Sequence, residues 1–315
     1  MEEGIKKVCD LVIKNYNKLK EELRFDGEFI NHFGSLIYAD DTEIPIGKIK
    51  KIRTAIKNKT SRMSYFRGDI LYMISFLIGK QKNVDEYIDD MIDTYEEMKE
   101  AKFEESADLV LSSYAIVKHS NKEKRTEIIS NMMEIYKEMK KNYRDITNSE
   151  DYLECALLAL NGIDKEKSVN YMESRFNSVV KLNLFSKNSI QGLTLALMLN
   201  HNNPEFNSIQ ELLNEFETKN IKISHQVLAL LGIAAGTEDS KEYATKIKSV
   251  IEYLSSEESE YQFYMDRSFR AFIAIALVEV SKKEGREEYI SELMLMVVNL
   301  FIKSKNQGLV AEVLA

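Results

Sequence analysis

The chain has 315 residues, 44% of them apolar and 30% charged, with two prolines (Pro45 and Pro204), twelve glycines and a formal net charge of −8. So little turn chemistry excludes an all-β sandwich or barrel, whose strands need Gly- or Pro-type turns at short intervals, and the acidic balance argues against a general nucleic-acid binder. The opening Met1-Glu2-Glu3-Gly4-Ile5-Lys6 lacks a signal-peptide pattern, the longest apolar runs (227–235 and 271–278) are half a membrane span, and Cys9 and Cys155 form neither a disulfide framework nor a metal-binding spacing, so a cytoplasmic protein with reduced thiols and no membrane contact is expected.

The first helical signal is Tyr16-Asn17-Lys18-Leu19-Lys20, an aromatic residue followed by a short basic or polar tail. After the best candidate for a break, at 40–45, a helix-like segment runs over 47–58. Residues 70–78 are then apolar at eight of nine positions. The next segment, 84–99, is amphipathic: Val84, Ile88, Met91, Ile92, Tyr95 and Met98 fall at offsets 0, 4, 7, 8, 11 and 14, one stripe of an α-helix, with Asp85, Asp89, Asp93, Glu96 and Glu100 opposite. It ends in the same marker, Tyr95-Glu96-Glu97-Met98-Lys99.

From there the two kinds of segment alternate. Apolar runs recur at 109–117, 152–160, 193–199, 227–235 and 269–278, several of them stopping at Gly, Asn or His. The amphipathic marker recurs at Tyr136-Lys137-Glu138-Met139-Lys140, Phe176 and Phe216, in steps of 41, 40 and 40 residues. Tyr16 precedes Tyr95 by 79 residues, two periods; Tyr253 follows Phe216 by 37, and a final apolar helix centres on Val297. A fixed period of about 40 residues with two helices per unit predicts an all-α fold. The expected architecture is an α/α helical-repeat solenoid or toroid of antiparallel helix pairs, in which stacking buries what no single pair can bury. The expected domain is single, 1–315, with irregular N-terminal units over 1–60, regular repeats over 61–260 and C-terminal capping helices over 261–315. Helices that are apolar nearly all round must be buried nearly all round, by tight winding first, or otherwise by a second chain, as in a homodimer, or by an apolar ligand.

Several local patterns resemble a family of uncharacterised helical bacterial proteins, the domain-of-unknown-function family 4003. They are Ser64-Tyr65-Phe66-Arg67-Gly68; Tyr95, Met98-Lys99, Phe103 and Ser106; Ile135-Tyr136 with Met139-Lys140; and Thr147 with Glu150-Asp151-Tyr152. The family pattern near the last of these resembles Thr-x-x-Asp-Asp-Tyr, and Glu150 is a mild departure from it. The resemblance implies a helical organisation and brings no known activity.

Chemical motifs are mostly absent. The histidines, His32, His119, His201 and His225, show no His-Asp pair, no His-Glu-x-x-His and no Glu-x-x-His, and are expected on surfaces or at helix ends, with no metal and no cofactor. No phosphate-cradling Gly loop and no Gly-x-Ser-x-Gly elbow occurs. Aligning the apolar segments places Asp69, Asp108 and Asp151 in one column, followed by Gln191 and Gln226, either as first-turn acids that complement helix dipoles or as a carboxylate ladder for a cationic or peptide ligand. Arg67 opens an apolar helix, where a guanidinium holds a carboxylate or phosphate, or bridges backbone carbonyls of the preceding unit. Arg67, Asp69, Asp108, Asp151 and Tyr152 are therefore the candidate ligand or partner contacts, and none is assigned a catalytic role. Residues 48–67 carry eight cations and no acid, whereas 85–108 carry eleven acids against Lys99 and Lys102; neighbouring helices with these charges can pair with each other. The function this supports is a non-enzymatic scaffold for a protein or peptide partner, with a homodimer as one form. The alternatives are an enzyme with a polar pocket in a helical toroid and nucleic-acid binding through 48–67.

Overall fold

The computed structural model describes residues 1–180, 187–200, 204, 206–236, 238–282 and 289–306. Of the described residues 79% are helical and none lies in a strand. The helices are α1 (Glu3–Glu22), α2 (Glu28–Ile37), α3 (Ile46–Lys59), α4 (Gly68–Gly79), α5 (Val84–Glu100), α6 (Ala107–His119), α7 (Lys122–Asn142), α8 (Tyr152–Leu160), α9 (Lys165–Val180), α10 (Lys187–Leu199), α11 (Phe206–Thr218), α12 (Leu228–Ala234), α13 (Ser240–Glu257), α14 (Arg267–Ser281) and α15 (Ile290–Asn306). Two compact units result: Pro45–Phe176, and Met1–Ile44 together with Asn177–Ala315. The first boundary falls inside the polar stretch 40–45.

Within Pro45–Phe176 the helices form two rows. The apolar helices α4, α6 and α8 pack in succession, α4 on α6 and α6 on α8. The amphipathic helices also pack in succession, α3 on α5 and α5 on α7, while α3 packs on α4, α5 on α6 and α7 on α8. Periodicity decides which helix goes where. α6 is buried from Asp108 to Val117, whereas α5 buries only Ile88, Met91, Thr94, Tyr95 and Met98, the stripe that its spacing gives it. An aromatic residue in the loop before each of two apolar helices packs on the marker tyrosine of the helix that follows. Phe66 meets Tyr95 with ring centroids 5.1 Å apart, and Phe103 meets Tyr136 at 6.3 Å.

Local chemistry sets the helix ends. Ser106 Oγ accepts from Leu109 N (3.0 Å) at the start of α6. α5 ends with Lys102 at φ +75°, where Phe103 N donates to Met98 O (3.2 Å); α11 ends the same way, with Asn220 at φ +56° and Ile221 N donating to Phe216 O (2.8 Å).

In the other unit α1 packs on α2, α13 and α14; α2 packs on α14 and α15; and α10 packs on α12. The last contact needs a glycine: a Cβ built on Gly232 would lie 2.8 Å from Ala196 Cβ and 3.2 Å from Leu193 O. Asn200 Nδ2 donates to Gly232 O (2.9 Å) and Ala235 O (2.8 Å), satisfying carbonyls at the end of α12. The apolar runs 227–235 and 271–278 are buried throughout. Of the marker aromatics, Tyr95 and Phe216 are buried and Tyr136 is half-buried. The side chain of Phe176 lies outside the described residues, as does all of His201. No described helix is long and apolar enough to cross a membrane.

Candidate functional site

Arg67 stands at the start of α4 and turns its guanidinium back to the end of α3. Nη2 donates to Lys57 O (2.9 Å) and Thr60 O (2.6 Å), and Nη1 to Phe66 O (3.2 Å) and to Thr60 Oγ1. It thus caps the preceding helix, satisfying carbonyls that a helix C-terminus leaves open. Asp69 is half-buried in the first turn of α4.

Asp108 and Asp151 are brought together, around a residue the sequence column does not contain. Asp108 is buried in the first turn of α6. Asp151 is buried in the short 3₁₀ turn Ser149–Asp151 that leads into α8, and its Oδ2 accepts from Asn148 N (2.8 Å) while Asn148 Oδ1 accepts from Glu150 N (2.8 Å), a capping box. Glu154 follows on α8. It is 7% exposed, and its Oε2 has no hydrogen-bond partner among the described residues. Burial, and then the charges of Asp151 and Asp108, push its carboxyl well above the usual carboxylate range, so it holds a proton where an exposed glutamate would not. Tyr152 closes this group: its hydroxyl accepts from Glu104 N (3.2 Å), and its ring lies 5.0 Å from Phe103 and 4.9 Å from Tyr136, both edge-on.

An open cleft of about 410 Å³ lies across the end of α4, the first turns of α5 and the facing ends of α6 and α7. Lys80, Lys82, Glu86, Tyr87, Asp90 and Arg125 line it, with Gln81, Asn83 and Val117. Arg125 is buried and donates from Nη2 to Asp90 Oδ2 (2.7 Å), which holds the Asp90 carboxyl below its ordinary value, and Lys122 Nζ stands 3.8 Å from Asp90 Oδ1. Lys48 Nζ braces the rim, donating to Gly79 O (2.7 Å) and Gln81 O (2.9 Å), and Tyr87 Oη donates to Tyr114 O (3.0 Å).

Four cations of the basic stretch 48–67, Lys48, Arg53, Lys59 and Arg67, are engaged within the unit, while Lys50, Lys51, Lys57 and Arg62 are exposed. Lys59 pairs with Asp89, the expected contact between α3 and α5. Arg53 is buried, donates from Nε to Ser75 Oγ (3.0 Å) and lies over the rings of Tyr72 and Phe76.

In the other unit a second cluster contradicts the expectation of surface or helix-end histidines. Glu28 and His32 are four residues apart on α2, hence on one face, with Gly27 at φ +91° turning the chain into the helix. Tyr16 and Lys20 hold the same spacing on α1. Glu260 and Tyr261 open the π-helical turn Glu260–Tyr264, a form concentrated at functional sites. One ring nitrogen of His32 and one carboxylate oxygen from each of Glu28 and Glu260 lie within 4.8 Å of one another.

The imidazole is fully buried. It stacks on Tyr16 at 3.7 Å and 6° and meets Tyr261 edge-on at 5.4 Å. Its Nδ1 faces Tyr261 Oη at 3.5 Å, and its Nε2 has no hydrogen-bond partner among the described residues. Burial, and then the Lys20 charge, lower its pKa to about 3, which leaves it neutral. Glu260 accepts from Tyr16 Oη and from Lys20 Nζ. Burial and then Glu260 raise the carboxyl of Glu28, with Lys305 and Lys20 opposing and Asp266 adding to the rise. The sequence signal for this cluster is Glu28-x-x-x-His32; its third member comes from a distant turn.

Fold and sites together define an all-helical protein in which one unit carries two rows of successively packed helices and the other a buried histidine between two glutamates. The sequence pattern of one family matches residues 15–307, nearly the whole chain, and the protein belongs to it: the family described as protein of unknown function, DUF4003. No curated protein matches the chain, and no solved structure does.

Proposed function

We propose that the protein is a non-enzymatic helical-repeat scaffold that holds a protein or peptide partner on residues 45–176. The observation that carries this reading is the open cleft at the ends of α4, α5, α6 and α7. Four successive helices contribute to it, as repeat arrays build partner surfaces from consecutive units. Its lining has both signs of charge and backbone-rich turns, which suit a peptide of mixed charge. The rim is braced by Lys48 and the Arg125–Asp90 pair, so little ordering is needed on binding.

The repeat itself is part of the proposal. The two rows of helices and the matching Phe66–Tyr95 and Phe103–Tyr136 pairs support a unit of about 40 residues, stacked as a solenoid or toroid of antiparallel pairs. A second copy of the chain is one partner of the right chemistry, giving a homodimer. The engagement of Lys59 by Asp89, of Arg53 by Ser75 and of Arg67 by backbone carbonyls at the end of α3 weighs against nucleic-acid binding through 48–67, and the engagement of Arg67 there weighs against an enzyme built on that residue. Comparing affinity capture from native extract by the natural chain and by Lys82→Glu, followed by mass spectrometry, tests the reading. A partner retained by the first and lost by the second is the expected result. Identical captures, or none beyond background, contradict it.

A further inference from the structure

We propose that Glu28, His32 and Glu260 form a mononuclear site for a first-row divalent cation of the Zn²⁺ type. A buried polar atom without a partner is destabilising; His32 Nε2 is such an atom among the described residues, on a ring one of whose nitrogens lies within 4.8 Å of two carboxylates. A cation on Nε2 resolves it. The neutral ring is the ligating form. In the tautomer whose Nδ1–H points to the Tyr261 oxygen, 3.5 Å away, the lone pair is left on Nε2, the outer-sphere arrangement usual for metal-bound histidines. The stacked Tyr16 ring fixes the plane of the imidazole. Two carboxylates this close repel, and a divalent charge between them reverses that repulsion.

An imidazole with two carboxylates selects Zn²⁺ and its first-row neighbours over Ca²⁺ or Mg²⁺, which take all-oxygen shells. Around a tetrahedral Zn²⁺ with bonds of about 2.1 Å, ligand atoms stand about 3.4 Å apart. The separations of up to 4.8 Å therefore close by about 1.4 Å at most, within reach of the two half-buried glutamate side chains. Three protein ligands leave a fourth position for water. Lys20, now on Glu260, is the competitor; its side chain is 57% exposed and can move to solvent as the ion enters.

The test is calorimetric titration of the chelator-stripped full chain with Zn²⁺, with circular dichroism to confirm that each variant is folded. The expected result is one equivalent bound by the natural chain, with affinity reduced at least about tenfold in Glu28→Gln and in Glu260→Gln and abolished in His32→Gln. The two glutamate substitutions keep their shape and leave the Tyr16–His32 stack in place, so they decide the matter even if His32→Gln unfolds. No saturable uptake by the natural chain, or unchanged affinity in both glutamate variants, overturns the proposal.

Discussion

Each unit buries a glutamate within an otherwise apolar helix, and the two have opposite surroundings. Glu154 on α8 is flanked by Asp151, Asp108 and Glu150, and its buried Oε2 receives no hydrogen bond from the described residues. Glu279 on α14 is 1% exposed and is met by Tyr243 Oη (2.8 Å) and by Lys282 Nζ (2.7 Å). Burial is common to both, so what differs is the supply of donors. Where acids flank it, the carboxyl keeps a proton; where an ammonium and a phenol reach it, it is held as an ion pair. The Glu28–His32–Glu260 cluster lies between these cases. It has an ammonium, a phenol and also an imidazole without its proton, and that unused lone pair separates a structural cluster from one able to take a cation.

The sharpest way to break this comparison is to remove the cation from Glu279. Lys282→Met leaves a buried carboxylate with the Tyr243 hydroxyl as its donor and is expected to lower stability by about 3 kcal/mol, read as a shift of the urea midpoint with unchanged slope. A loss under about 0.5 kcal/mol would mean that the pair has no such role. Glu154→Gln is expected to act in the opposite direction. A carboxyl whose pKa is raised by folding contributes its full stability below its unfolded value, near 4.5, and loses that contribution as pH rises through the folded value. Glutamine does not titrate, so the variant should be more stable than the natural chain at pH 8, with the gain vanishing below pH 4. A gain independent of pH would show that packing, not the proton, is responsible. Tyr243→Phe removes one donor from Glu279 and should lower stability by about 1 kcal/mol. Smallest of all, Lys20→Met removes the competitor at Glu260 and should tighten Zn²⁺ binding about three- to fivefold, the size of a mostly exposed pair.

Helix type and position were legible in the sequence because they depend on periodicity. The apolar run 70–78 lies in α4 and 109–117 in α6, and the stripe ending in Tyr95 and Met98 is the buried stripe of α5. Of the acids aligned in the sequence, Asp108 lies in the first turn of α6 and Asp151 in the 3₁₀ turn leading into α8, both beside Glu154. Glu154 was not legible: it is the one polar residue in an apolar run of nine, and composition alone reads it as an interruption rather than a buried charge. The charge blocks were legible in part. Lys59 meets Asp89 as their neighbouring helices require, but Lys48 and Arg67 turn to backbone carbonyls at helix ends, which compete with acids for every nearby cation. The histidine cluster escaped because its spacing is four, not three, and because Glu260 lies 228 residues beyond His32; short-range spacing carries no signal for a ligand brought in by the tertiary fold.

The difference between the two clusters is tested most directly by anomalous diffraction at the zinc edge from crystals grown with Zn²⁺. The account predicts a peak bounded by Glu28, His32 and Glu260 and none beside Asp108, Asp151 and Glu154. A peak at the second place, or no peak at the first in a fully folded crystal, would contradict it.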